Sequence, residues 1–251
     1  MEKVAIVTGA SRDVGKEVAY LLSSEGYHVV LVSRSQEKLD EVKKNITNEK
    51  GSAEVFCCDI SDENKVYSLV DEVVKKHGKI DLLFDNAGIY VPGTSEVKLE
   101  KLKKVVETNL LGTIYMANAV ASYMKKQQSG YIMIVSSVAG KSAKGPIGAY
   151  ACTKFGLVGY GEALFQEMLS YNVKVTTLCP GAINTDMIFQ VVDASRMHLE
   201  ELIQPADIAL AVKCLLQFGH NIAIPEFVIH ATFTERTRNE MVSQAFKREE
   251  E

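Results

Sequence analysis

The sequence carries no surplus of charge of either sign: 28 Lys and Arg against 32 Asp and Glu leave a formal net charge of −4 over 251 residues. That balance gives no bulk electrostatic reason to bind nucleic acid or an anionic membrane. Long apolar runs are missing as well, each being interrupted well before the about 18 residues of a membrane-spanning helix. Strand-like sequence starts at Lys3, which leaves no room for a signal peptide, so a cytoplasmic setting is expected. Cysteine is sparse and odd in number, five residues at 57, 58, 152, 179 and 214 with no C-x-x-C pair. A reducing compartment follows, and buried packing is expected of all five thiols, the neighbouring Cys57 and Cys58 included. The five histidines show no ligand spacing such as H-E-x-x-H, so no metal is expected.

What the chain does have is alternation. Short β-branched runs recur at Val4–Val7, His28–Val32, Ala53–Phe56, Ile80–Phe84, Tyr131–Val135, Val173–Leu178 and Phe227–Ile229. Several are apolar throughout, as expected where helices cover both faces of a parallel sheet. Between them, helical-period segments fall near 15–26, 35–48, 62–77, 99–125, 149–171 and 205–218. Strands alternating with helices imply a single doubly wound α/β domain with a seven-stranded parallel sheet flanked by helices over 1–251. The helices about 99–125 and 149–171 are apolar or small on more than one side, the second with Gly156, Gly159 and Gly161. Burial of the second face by the core or by another subunit is left open, and a homodimer or homotetramer through these helices is the oligomeric expectation.

Two local patterns carry chemistry. Thr8-Gly9-Ala10-Ser11-Arg12-Asp13-Val14-Gly15 follows the first strand and opens a helix, the context in which backbone N–H groups and a helix N-terminus face a pyrophosphate. Tyr150 and Lys154 lie four residues apart, so on a helix they share one face, and Ser137 lies thirteen positions (150−137) upstream at the end of an apolar strand. A cation about 5 Å from a phenolate contributes roughly 3 kcal/mol at an effective dielectric near 20. That is enough to bring a Tyr from its usual ~10 down toward the range of an acid or base at neutral pH. Taken alone, Y-x-x-x-K is common by chance; the rest of the chain decides.

Over about residues 3–231 the chain resembles the short-chain dehydrogenase/reductase family. The glycine turn resembles the family's T-G-x-x-x-G-x-G, and Asn86-Ala87-Gly88 matches N-A-G after the fourth strand. Asn109, Ser137, Tyr150 and Lys154 match its catalytic tetrad in order and spacing, and Pro180-Gly181 with Ile183 and Thr185 matches the segment over the nicotinamide. The resemblance implies a Rossmann fold and a nicotinamide cofactor. It also implies that Tyr150 acts as proton donor, Ser137 polarises the carbonyl, Lys154 tunes Tyr150 and holds the nicotinamide ribose, and Asn109 anchors a water. Gly9, Ser11, Arg12, Asp13, Val14 and Gly15 would cradle the pyrophosphate, with Asp59 and Ile60 at the adenine.

Asp13 departs from the family's middle glycine. Its carboxylate would repel a phosphate about 6 Å away by roughly 3 kcal/mol at a dielectric of 20; the favoured reading makes it the N-cap of the helix starting near Val14. Asp59 has a similar alternative as cap of the helix near Ser61. At the end of the second strand, Ser33 and Arg34 stand where an acidic residue would grip ribose hydroxyls, so NADP(H) is expected over NAD(H). Arg12 is expected to close with Arg34 on the 2′-phosphate. The expected reaction is reduction of a ketone or aldehyde, with a 3-oxoacyl thioester on acyl carrier protein as the leading specific alternative and a non-catalytic NADP sensor as the other. The loop about 185–205, with Met187, Ile188, Phe189, Val191, Val192, Met197 and Leu199, is expected either to cover the substrate or to pack on the domain. The tail about 234–251 is polar, and disorder or a reach to a neighbouring subunit is expected of it.

Overall fold

The structure, a computed structural model, describes residues 2–143, 145–190 and 198–232. Seven strands form one parallel sheet: β1 (Lys3–Thr8), β2 (Tyr27–Ser33), β3 (Ser52–Cys57), β4 (Leu82–Asp85), β5 (Gly130–Val135), β6 (Val173–Pro180) and β7 (Glu226–Ile229). Their order in space is β3-β2-β1-β4-β5-β6-β7. The order reverses between β1 and β4, and such a switch point opens a crevice at the carboxyl ends of the strands.

Among the described residues, seven α-helices cover the sheet: α1 (Asp13–Ser24), α2 (Gln36–Asn48), α3 (Glu63–His77), α4 (Leu99–Val106), α5 (Gly112–Gln127), α6 (Gly148–Met168) and α7 (Pro205–Gln217). Adjacent positions on a strand face opposite sides, and the two cores follow from that. Val4, Ile6, Val30 and Val32 pack with α3, α5 and α6, whereas Ala5, Val7, Val29 and Leu31 pack with α1, α2 and α7. Central strands buried on both sides therefore read as unbroken apolar runs.

Helix ends follow local chemistry. Asp62, not Asp59, caps α3 by accepting from the Lys65 N–H (3.2 Å), and α3 stops at Gly78 in the left-handed region (φ 77°). Pro205 occupies the first turn of α7, where Gln204 and Asp207 exchange side-chain-to-backbone hydrogen bonds. The helix expected over about 99–125 is divided: α4 runs into a π turn at Glu107–Leu111 and then into α5. Of the loop about 185–205, Val191, Val192 and Met197 lie outside the described residues, as does the tail about 234–251.

Candidate active site

The crevice at the switch point is a cleft of about 840 Å³ lined from the glycine turn, the ends of β2, β4 and β5, the start of α6 and the segment after β6. Its turn is built by glycine. Gly9 has φ 67°, and a Cβ there would lie 2.8 Å from Asn86 Nδ2; a Cβ on Gly15 would lie 2.2 Å from the Gly9 carbonyl oxygen. The chain can therefore double back tightly and aim α1 at the cleft. Thr8 ties this turn to the next. Its hydroxyl donates to Asp85 Oδ1 (2.7 Å) and accepts from the Asn86 and Ala87 N–H groups (both 2.9 Å).

Most of the expected site residues converge on this cleft. Gly9, Ser11, Arg12, Asp13, Val14, Ser33, Arg34, Asp59, Ile60, Asn86, Ala87, Gly88, Ser137, Tyr150, Lys154, Pro180, Gly181, Ile183 and Thr185 all line it. Gly15 and Asn109 do not reach its surface: both are buried behind it. Asn109 sits in the π turn, where its Oδ1 accepts from the Ile89 N–H and its Nδ2 donates to the Ile89 carbonyl (2.8 Å each). This side chain fixes the segment after Gly88 against α6, with Thr153 Oγ1 3.3 Å from its Nδ2.

Tyr150 and Lys154 stand on the first turns of α6. The Ser137 hydroxyl, which donates to the Pro180 carbonyl (3.4 Å) and accepts from the Ala139 N–H (3.1 Å), faces the Tyr150 phenol and favours its ionised form. Lys154 Nζ lies 5.6 Å from the Tyr150 ring centroid and donates to the Val135 carbonyl (2.9 Å). Contrary to the sequence expectation, the phenol is not lowered. Burial pushes Tyr150 up to about 12, with Ser137 opposing it, and pulls Lys154 down to about 8. Desolvation outweighs the pair's attraction because the ammonium sits over the ring face and is held by a backbone carbonyl rather than by the phenol oxygen. Tyr150 thus stays protonated at neutral pH, the state required of an acid.

Three further expectations change. Asp13 does not cap α1: the capping position is Arg12, no side chain supplies a capping bond, and Asp13 itself takes the left-handed backbone (φ 48°) that a middle glycine would tolerate. Its carboxyl is raised by burial and by Asp186, whose backbone N–H bonds to it. Arg12 does not close toward Arg34; its Nη1 donates to Asp186 Oδ2 (2.6 Å), a residue after β6 that the sequence reading missed. Arg34 instead has Asp59 Oδ2 at 4.0 Å, and Asp59 accepts from the Ser61 N–H and hydroxyl rather than capping a helix. Lys38 and Tyr90, also missed, line the cleft, Lys38 one turn into α2 and Tyr90 with its ring centroid 5.3 Å from that of Tyr150. The spacing of Arg34 and Lys38 gave a signal for the first; nothing in the sequence marked Tyr90.

A helix N-terminus and a glycine turn are the donor set that a dinucleotide's pyrophosphate requires, and the cleft's volume lies in the usual range for ligand sites. Among the described residues no helix is long and apolar enough to cross a membrane.

Comparison with known proteins agrees with this geometry. An uncharacterised oxidoreductase of Staphylococcus saprophyticus is 30% identical over 91% of this chain and 95% of its own length. Carbonyl reductase family member 4 of Xenopus tropicalis is 32% identical over 86% of this chain and 92% of its own. Among solved structures, a metagenomic short-chain oxidoreductase in complex with NADP superposes with a TM-score of 0.80 at 30% identity, covering 92% of this chain and 98% of that one. An actinorhodin polyketide ketoreductase with NADPH gives 0.84 at 28% identity, covering 91% and 95%. Residues 3–195 match the family model for short chain dehydrogenases, and the chain belongs to that family of oxidoreductases.

Proposed function

We propose that the protein is an NADPH-dependent carbonyl reductase in which Tyr150 protonates the oxygen of a ketone or aldehyde. The observation that carries this reading is that Ser137, Tyr150 and Lys154 line one cleft with the glycine turn, Lys154 Nζ lying 5.6 Å from the Tyr150 ring centroid. The glycine turn and the segment Pro180–Thr185 would hold the nicotinamide cofactor, which when bound would supply the hydride. Ser137 holds the carbonyl oxygen within reach of the phenol, and Tyr150, kept protonated by burial, delivers its proton as negative charge develops there. Lys154 holds a positive charge under the phenol, which offsets the phenolate left behind. Asn109 braces the Ile89 backbone next to Gly88 and so positions one wall of the cleft.

For the cofactor, Ser33 offers no carboxylate to repel a 2′-phosphate, while Arg34 and Lys38 supply cationic groups at that end of the cleft. NADP(H) over NAD(H) is therefore the proposed preference. Met187 and Ile188 line the cleft, which favours an apolar substrate face, and the Tyr90 ring beside Tyr150 narrows the approach. Five free cysteines suit a reducing compartment such as the cytoplasm. Exposed Phe155 on α6 and Leu99 on α4 suit association through these helices into a homodimer or homotetramer.

The test is NADPH consumption with a panel of simple ketones, aldehydes, steroids, sugars and 3-oxoacyl thioesters. At least one ketone or aldehyde is expected to turn over with NADPH at a higher kcat/KM than with NADH. Turnover confined to acyl thioesters would favour the 3-oxoacyl reaction, which a Thermotoga maritima 3-oxoacyl-[acyl-carrier-protein] reductase, 32% identical over 77% of this chain and 79% of its own, brings into view.

A further inference from the structure

At the foot of the sheet, opposite the cleft, three side chains far apart in sequence meet. His28 is the second residue of β2, Glu54 lies on neighbouring β3, and His77 ends α3. His28 is five residues (33−28) from the cleft end of its strand, about 16 Å at roughly 3.3 Å per residue. We propose that His28, Glu54 and His77 form a binding site for a divalent cation of the late first transition row, Zn²⁺ by the character of its donors.

The geometry supports this in several ways. One ligand atom from each residue lies within 4.8 Å of the other two. Glu54 Oε1 is shared, 2.6 Å from His77 Nε2 and 3.3 Å from His28 Nε2. Donors around a tetrahedral zinc ion with about 2.0–2.1 Å bonds stand roughly 3.3 Å apart, so the Glu54–His77 pair would open by about 0.7 Å and the two rings close by at most about 1.5 Å, with a water as the fourth donor. His28 is 8% exposed and its Nε2 makes no well-formed hydrogen bond despite facing Glu54. A buried nitrogen in that position is costly to leave unmet.

The surroundings are those of a ligand set. Ser52 Oγ sits 2.6 Å from His28 Nδ1, so it can accept the Nδ1 proton and leave Nε2 with a free lone pair directed at the shared oxygen. The His28 and His77 ring centroids are 4.5 Å apart. Two imidazoles and one carboxylate select zinc-like ions over Mg²⁺ or Ca²⁺, which prefer oxygen. Lys76 holds the other Glu54 oxygen but is more than half exposed, so its ammonium can swing into solvent when a cation arrives. The ion would tie β2, β3 and α3 together without touching the cleft.

The test uses the full chain, stripped of metal, titrated calorimetrically with Zn²⁺ and optically with Co²⁺. One equivalent should bind, and the Co²⁺ complex should show nitrogen and oxygen ligation without thiolate charge-transfer absorption, which separates it from binding at exposed Cys57. Zn²⁺ at about 100 times its Kd should raise the melting midpoint by about 5–10 °C. His77→Gln, at a helix end where folding is least disturbed, should weaken binding about tenfold or more and remove the shift. Lys76→Met should tighten binding several-fold by removing the competing ammonium. No saturable equivalent, a thiolate-type Co²⁺ spectrum, or unchanged affinity in His77→Gln would overturn the site.

Discussion

At the residue scale, the buried ionisable groups around α6 set the chemistry. Asp85 is 1% exposed; its Oδ1 accepts from Thr8 while its Oδ2 has no hydrogen-bond partner, and burial pushes the carboxyl up to about 7. A carboxyl raised above its unfolded value of 3.8 contributes stability that is complete below that value and is lost as pH rises through 7. Asp85→Asn should therefore be more stable than the parent at pH 8, by on the order of 2–4 kcal/mol, with the advantage vanishing by pH 4. Chemical denaturation of both proteins across that range checks it. At the other end of the cleft, Arg34→Asp should shift the NADPH/NADH preference toward NADH by about tenfold or more, because a carboxylate beside a 2′-phosphate repels it and can bind ribose hydroxyls instead. An unchanged ratio of kcat/KM values would remove Arg34 from phosphate recognition.

At the scale of elements, much was legible because period and position carry it. Apolar strands such as Val29–Val32 and helix-period segments gave the alternation, and the glycine turn after β1 marked the cleft. What stayed hidden depends on contacts that cross the chain. The π turn at Glu107–Leu111 has no period of its own, yet it positions Asn109. Asp13 read as a cap because its residue type is right for one; its left-handed backbone shows that turn geometry prevailed. Arg12 read as a phosphate ligand because Asp186, 174 positions away, gave no local sign of pairing with it. The glycine turn offers a direct test of element geometry. Gly9→Ala meets a positive φ and Asn86 together, so it should destabilise the protein by about 1–3 kcal/mol and weaken NADPH binding beyond that loss. Denaturant unfolding and a fluorescence titration measure the two effects.

At the scale of the whole molecule, the sheet separates two kinds of work. The carboxyl ends of its strands gather the cofactor cleft and the Ser137–Tyr150–Lys154 group, while the opposite end gathers His28, Glu54 and His77. Neither gathering follows from spacing along the chain: Glu54 is 26 positions (54−28) from His28 and 23 (77−54) from His77, and only the β2–β3 pairing and the end of α3 bring them together. At the cleft end, Tyr150 is the proposed proton donor in NADPH-dependent carbonyl reduction. The most direct measurement is single-turnover NADPH oxidation by Tyr150→Phe with a ketone accepted by the parent, alongside NADPH binding by fluorescence. Loss of turnover by about 10³-fold or more with NADPH affinity within a few-fold of the parent is the predicted result; near-parent turnover would contradict the account.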